Sequence, residues 1–324
     1  MKNVCEETHV FKPFSNGDNG AKTTIDISLE FMEEKSVDKF STLQFTSKDV
    51  LSFSHDHRRT NDDPDEAHVI QLLQRHPSAS TSDIPVLFDA LVYGLRSLHH
   101  SQLVNVYYSL RNPRTIKFFQ DALPLLKTDA GVTLMRDIIN SGQIDSAIID
   151  SWFSSLAFYK NPTRGMLIVL STLVNENSRS SALLGISGLA STFCSNNKNC
   201  LEIAEMKQIL TNFEKLLGNS CESSSPEQEL QIVLVLKSLR NIGHLQNSKN
   251  VLTKCATTKT NSLLIRVSVM ETIRRWELSC SFDQSELITI LRDVQEDSEL
   301  RINAYLALMT CPSDKSIEAI KGRF

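Results

Sequence analysis

Seven cysteines, a His-Asp-His triplet and several arginines are the side chains of this 324-residue chain whose types and spacing could do chemistry. Cys5, Cys194, Cys200, Cys221, Cys255, Cys280 and Cys311 are an odd number, and six of them lie after residue 190. In a reducing compartment they would be small core residues; in an oxidising one some would pair. Cys194 and Cys200 end the polar loop CSNNKNC, where a short bridge is allowed if the Cα atoms come within about 7 Å. Cys255, Cys280 and Cys311 stand near helix ends and read as core residues rather than reactive thiols.

His55 and His57 flank Asp56 on a charged stretch, SHDHRRTNDDPDE. Two histidines at i and i+2 lack a third ligand at metal spacing, so the triplet reads as a solvated loop. Cys194 and Cys200 likewise have no nearby histidine or CxxC pair to complete four ligands. GISG at 185–188 lacks the spacing of a nucleophile elbow and falls inside a helical pattern. Phosphate-binding loops, HExxH and dinucleotide fingerprints are also missing. The sequence therefore assigns no catalytic, cofactor-binding or metal residue. Arg266 and Arg301 occupy equivalent places in adjacent repeats and read as bonds to a neighbouring helix; Arg274-Arg275 reads as a solvated helix end.

The formal charge of −4 and pI near 6.1 provide no basic field for a phosphate backbone, and no apolar run reaches the roughly 20 residues that span a bilayer. The start, MKNVCEETHVFKPF, contains no apolar signal-peptide core. Eleven glycines and nine prolines are few, which favours helices.

The elements that position these residues are mostly helical. LQIVLVLKSLRNIG (230–243), LIRVSVMETIRRW (264–276) and LRINAYLALM (300–309) repeat at 34 to 35 residues, aligning Val235 with Val269 and Ala304, and Leu239 with Ile273 and Leu308. Before the third, DQSELITILRDV (283–294) predicts a helix capped by Asp283 and Glu286, with Leu287, Leu291 and Val294 on one face. Such units cannot bury their apolar sides alone and must stack on neighbours, as in an α-solenoid. Helical periodicity continues back to Ala67: 83–98, 100–112, 113–126, 129–139 ending at Ser141-Gly142, 145–158, a helix opened by Asn161-Pro162, and 180–194. Val132, Met135 and Ile139 should share a buried stripe, and Gly185 and Gly188 either admit a close neighbour or weaken their helix. Ser225, Pro226 and Gln228 read as N-cap, first-turn proline and capping-box partner. By contrast, residues 1–54 read as β, with Ile25, Ile27, Leu29 and Phe31 alternating with polar residues and a second apolar run from Phe40 to Phe53. Residues 55–66 read as a linker and 67–324 as the helical domain.

Taken together, KTDAGVTLMRDIINSGQI (127–144), AFYKNPTRGML (157–167), LVLKSLRNIGH (234–244), LLIRVSVMETIRRW (263–276) and EDSELRINAYLALMTCPS (296–313) resemble the N-terminal lipid-transport module of the large lipid transfer proteins. That superfamily comprises vitellogenins, apolipophorins, apolipoprotein B and the microsomal triglyceride transfer protein. CEETHVFKPFS (5–15) and the strands after it resemble the closing part of its β-barrel in insect-type apolipophorins. The resemblance implies a right-handed, two-layered α-superhelix preceded by a few strands left from the barrel. It further implies lipid transport without catalysis, phospholipid and acylglycerol as partners, contact with β-sheets of the same parent chain, and secretion, with this chain a portion of a longer protein. On that footing Cys194, Cys200 and Cys221 are the candidate disulfide residues. The alternative reading is an intracellular HEAT-like scaffold for protein partners.

Overall fold

A computed structural model of the chain describes residues 2–11, 21–30, 65–175, 178–244, 249–275 and 284–321. The chain divides into two units, Met1–His55 and Asp56–Phe324.

In the first unit, strand β1 (Lys2–Phe11) pairs antiparallel with β2 (Ala21–Glu30), Cys5 lying opposite Ile27 and Lys2 opposite Glu30. The alternation around Ile25 and Ile27 predicts a half-buried face, yet these two side chains are 42% and 44% exposed. A two-stranded ribbon has no second layer of its own to cover that face. Phe31, the run from Phe40 to Phe53 and the His55-Asp56-His57 triplet lie outside the described residues.

The second unit contains fifteen α-helices among its described residues: α1 (Glu66–Arg75), α2 (Ile84–Ser97), α3 (His100–Ser109), α4 (Pro113–Ala122), α5 (Asp129–Ser141), α6 (Ser146–Leu156), α7 (Arg164–Ser171), α8 (Ser180–Asn196), α9 (Ala204–Leu217), α10 (Pro226–Ile242), α11 (Lys249–Thr257), α12 (Leu263–Arg274), α13 (Ser285–Arg292), α14 (Ser298–Thr310) and α15 (Asp314–Lys321). Short polar side chains set their starts. Asp65, Asn112, Thr128, Asp145, Thr163, Ser225, Ser262 and Asp297 each accept a bond from a first-turn N–H that has no partner inside the helix. Left-handed Gly142 and Gly243, at φ 68° and 74°, close α5 and α10.

Packing on the next helix but one recurs along the array, beside strong contacts between hairpin neighbours. Helices α6, α8, α10, α12 and α14 form one continuous layer and α3, α5, α7 and α9 a second, while the hairpin neighbours α9–α10, α11–α12 and α13–α14 join the layers. The helical unit is thus a two-layered α-solenoid, whose core runs along the seam between the layers. The three aligned positions Val235, Val269 and Ala304 are all fully buried there, as are Leu239, Ile273 and Leu308 to within 2%. Buried aromatics carry their polar atoms to carbonyls one repeat back: Trp152 Nε1 donates to the Gln120 oxygen at 2.9 Å and Tyr159 Oη to that of Pro124 at 2.8 Å. Burial pushes the Tyr159 hydroxyl pKa up, more than the nearby Arg96 charge pulls it down, so it stays a neutral donor.

Three local expectations are corrected. Helix α7 begins at Arg164 with Thr163 as N-cap, two residues later than Asn161-Pro162 predicts, because the Thr163 hydroxyl also bonds Asp129 at the start of α5. Helix α13 is capped by Gln284 without a side-chain bond. The Gln284 amide instead ties Cys311 O and Ser313 Oγ, and Ile290, not the 62% exposed Val294, is buried with Leu287. In α5, Val132 and Met135 are buried as expected, but Ile138, buried at 1%, completes the stripe in place of the partly buried Ile139.

Candidate functional site

The arginines at equivalent repeat positions are joints of the solenoid. Arg266 Nε donates to Ala256 O at 2.7 Å and Arg301 Nε to Leu291 O at 3.2 Å, each reaching a carbonyl ten residues earlier on the preceding helix. The rest of the Arg266 guanidinium grips Glu296 through two bonds of 2.9 and 2.8 Å, and both side chains are only 8% exposed. This bidentate grip holds the Glu296 carboxyl below the usual carboxylate range, with Lys259 adding to the effect. A charge so fully engaged is not available to a ligand.

Similar ties link successive helices of each layer. In the layer of even-numbered helices, Asp150 of α6 takes Arg179 in two bonds of 2.7 and 2.6 Å and Ser181 at 2.5 Å. These contacts lower its carboxyl pKa to about 2. Asn241 of α10 donates to Ser187 of α8 at 3.1 Å, and Arg240 of α10 meets Glu271 of α12 at 2.6 Å. Across from it, Arg164 of α7 pairs with Glu205 of α9 at 3.1 Å.

Disulfides join Cys194 to Cys200, with Cα atoms 5.1 Å apart, and Cys221 to Cys255, at 5.2 Å; Cys311 is disulfide-bonded as well. The first closes the loop after α8. The second ties the chain before α10 to α11, and both its sulfurs are buried. Sequence reasoning missed Cys255 and Cys311, which it read as core residues outside any disulfide. The available signal for Cys255 was its spacing from Cys221, 34 residues, one repeat of the solenoid.

Exposed apolar side chains are most frequent on even-numbered helices among the described residues. Val86 and Tyr93 on α2, Leu230 on α10, Leu264 on α12, and Ile302 and Met309 on α14 are between 40% and 74% exposed. On the odd-numbered helices, Tyr108, Ile168 and Ile317 are the comparable side chains among the described residues. Phe158, just past α6, is 75% exposed and walls a groove of about 820 Å³. Leu184, Gly185 and Gly188 of α8 form its floor, and Lys237, Arg240 and Asn241 of α10 with Arg275 after α12 form its far rim. Arg275 is exposed, as expected for a solvated helix end. Gly185 owes its identity to packing, since a Cβ there would stand 1.9 Å from the Phe153 carbonyl oxygen of α6. Among the described residues no group of three His, Cys, Asp or Glu could hold a metal ion, and no helix is long and apolar enough to cross a membrane.

Residues 67–323 match the vitellogenin TPR domain family. The chain is 29% identical to the apolipophorins of Locusta migratoria over 332 aligned residues, which covers 98% of this chain and 10% of that protein. It is 24% identical to a vitellogenin of Ichthyomyzon unicuspis over 57% of this chain and 10% of that one, and 22% identical to human apolipoprotein B-100 over 98% and 7%. A solved structure of lipovitellin, described for its lipid–protein interactions, superposes with a TM-score of 0.62 at 22% identity, covering 82% of this chain and 29% of that chain. The chain thus spans about a tenth of the length of the curated relatives it matches.

Proposed function

The chain belongs to the vitellogenin TPR domain family, and on that premise we propose that it is the helical scaffold of a lipid carrier, working without catalysis. The observation that carries this reading is the set of exposed apolar side chains on α10, α12 and α14, three successive helices of one layer. Leu230, Leu264, Ile302 and Met309 give that end of the layer an apolar character that singly scattered residues would not. Such a face suits a sheet layer that closes a lipid cavity, with the solenoid as the outer wall. In this reading residues 1–54 are the last strands of a β-barrel, 55–66 a linker and 67–324 the superhelix. The exposure of Ile25 and Ile27 fits strands whose partner layer belongs to the same parent protein.

Phospholipid and acylglycerol are the expected cargo, because a carrier of this build selects by apolar enclosure. The disulfides favour a secreted protein over an intracellular scaffold, since such bonds persist in oxidising compartments. Purification of the whole protein that carries this chain, followed by lipid extraction and mass spectrometry, tests the proposal. Bound phospholipid or acylglycerol is expected, and recovery free of both would overturn it.

A further inference from the structure

We propose that the groove between α6, α8, α10 and α12 is a subsite for the anionic head of an amphiphilic lipid, held by Lys237 and Arg275 with the apolar part against Phe158 and Leu184. The inference rests on the lipid-carrier reading and adds a charge preference to it. The first observation is electrostatic. Among the described residues three cations, Lys237, Arg240 and Arg275, line the groove and no carboxylate does, although the whole chain carries a formal charge of −4.

The second is how these cations are engaged. Arg240 is held by Glu271 at 2.6 Å. Lys237 and Arg275 are exposed and have no ion-pair partner among the described residues, unlike Arg164, Arg179, Arg266 and Lys259 of the same solenoid. The third is the opposite wall, where Phe158 is 75% exposed beside Leu184 and the glycine floor. A space of about 820 Å³ with cations on one rim and an aromatic ring on the other matches a molecule that is anionic at one end and apolar at the other. Ser191 adds a hydroxyl to the lining, suited to a phosphate or carboxylate oxygen, whereas Ser154 and Ser181 donate to Asp150.

Binding of the intact chain to vesicles of phosphatidylcholine, with and without partial replacement by phosphatidylglycerol, tests this. Each basic residue at an anionic surface is worth about 1 kcal/mol, so Lys237→Gln with Arg275→Gln should weaken binding to anionic vesicles roughly thirtyfold. Binding to phosphatidylcholine alone should be unchanged. Lys207→Gln with Lys215→Gln, the same charge change on α9, is the control, and a thermal melt verifies that both variants fold. A separate Phe158→Ser variant should weaken binding to both vesicle types. Equal binding of the unaltered chain to both vesicle types, or equal loss in the control, overturns the subsite while leaving lipid carriage standing. An acidic protein segment as the true occupant would show as wild-type vesicle binding in the Lys237 and Arg275 variant. Failure to bind any vesicle, together with a lipid-free whole protein, would bring down the parent reading as well.

Discussion

At the scale of single residues, two positions make this fold depend on atoms rather than on pattern. Gly185 lets α8 approach α6 until a Cβ would collide with the backbone of Phe153, and backbone has no rotamer by which to yield. Gly185→Ala should therefore destabilise the helical unit by about 3 kcal/mol, the upper part of the range for overpacking. Gly188→Ala, whose Cβ would meet the Ala157 side chain at 3.0 Å, should cost less. Urea denaturation of the two variants beside the parent measures the order; an equal effect at both would contradict the close-approach account. Glu296 is the second position. Because Arg266 lowers its pKa on folding, the pair stabilises fully above the unfolded carboxyl value near 4.3, and that contribution fades as pH falls through the lower folded pKa. Glu296→Gln leaves Arg266 buried without its counter-charge and should cost about 3 kcal/mol at neutral pH. Once the pH falls below the depressed folded pKa of Glu296, the gap between the variant and its parent should close, because both then carry a neutral side chain at 296. A gap independent of pH would show that shape, not charge, holds the joint.

At the scale of elements, the two fully placed disulfides differ in how much chain they close. By loop-closure entropy, the 34-residue separation of Cys221 and Cys255 should stabilise by about 4 kcal/mol, and the 6-residue separation of Cys194 and Cys200 by about 2 kcal/mol. Paired Cys→Ala variants of each bridge, unfolded in guanidinium, would check the ranking, and a greater loss at the short loop would refute it. The same elements show what could be read without coordinates. Repeat spacing and 3.6-residue periodicity place most helices of the solenoid and the buried columns through Val235 and Leu239, because those signals are local. What escapes is decided across repeats. The start of α7 depends on Asp129, 34 residues before Thr163, and the partner of Cys221 comes from the next turn of the solenoid. Helix α13 ends early, exposing Val294, while its Gln284 is drawn to Ser313 rather than to its own first turn. The partner-facing role proposed for the even layer rests on family resemblance. No motif marks it, and its Leu and Ile look in sequence like any core stripe.

At the scale of the whole helical unit, contacts between helices are made with near neighbours along the array. The polar ties follow the same rule: Thr272 reaches Leu236 O, 36 residues back, and Thr310 reaches Arg274 O at the same spacing. In such an array stability is a sum of repeat and interface contributions, so damage at one end should stay near that end. Deleting residues 284–324 strips α12 of its α14 neighbour and uncovers the seam beside Val269 and Ile273. Amide exchange in the shortened protein should accelerate in α11 and α12 and remain slow in α3 to α8, whose packing is intact. A single closed core would behave differently, because losing part of its interior weakens every part in common. Uniform acceleration from α1 onward would therefore show that the unit folds as one cooperative body, and the exposed even face would then have to be explained by something other than a stacked array that presents one layer to a partner.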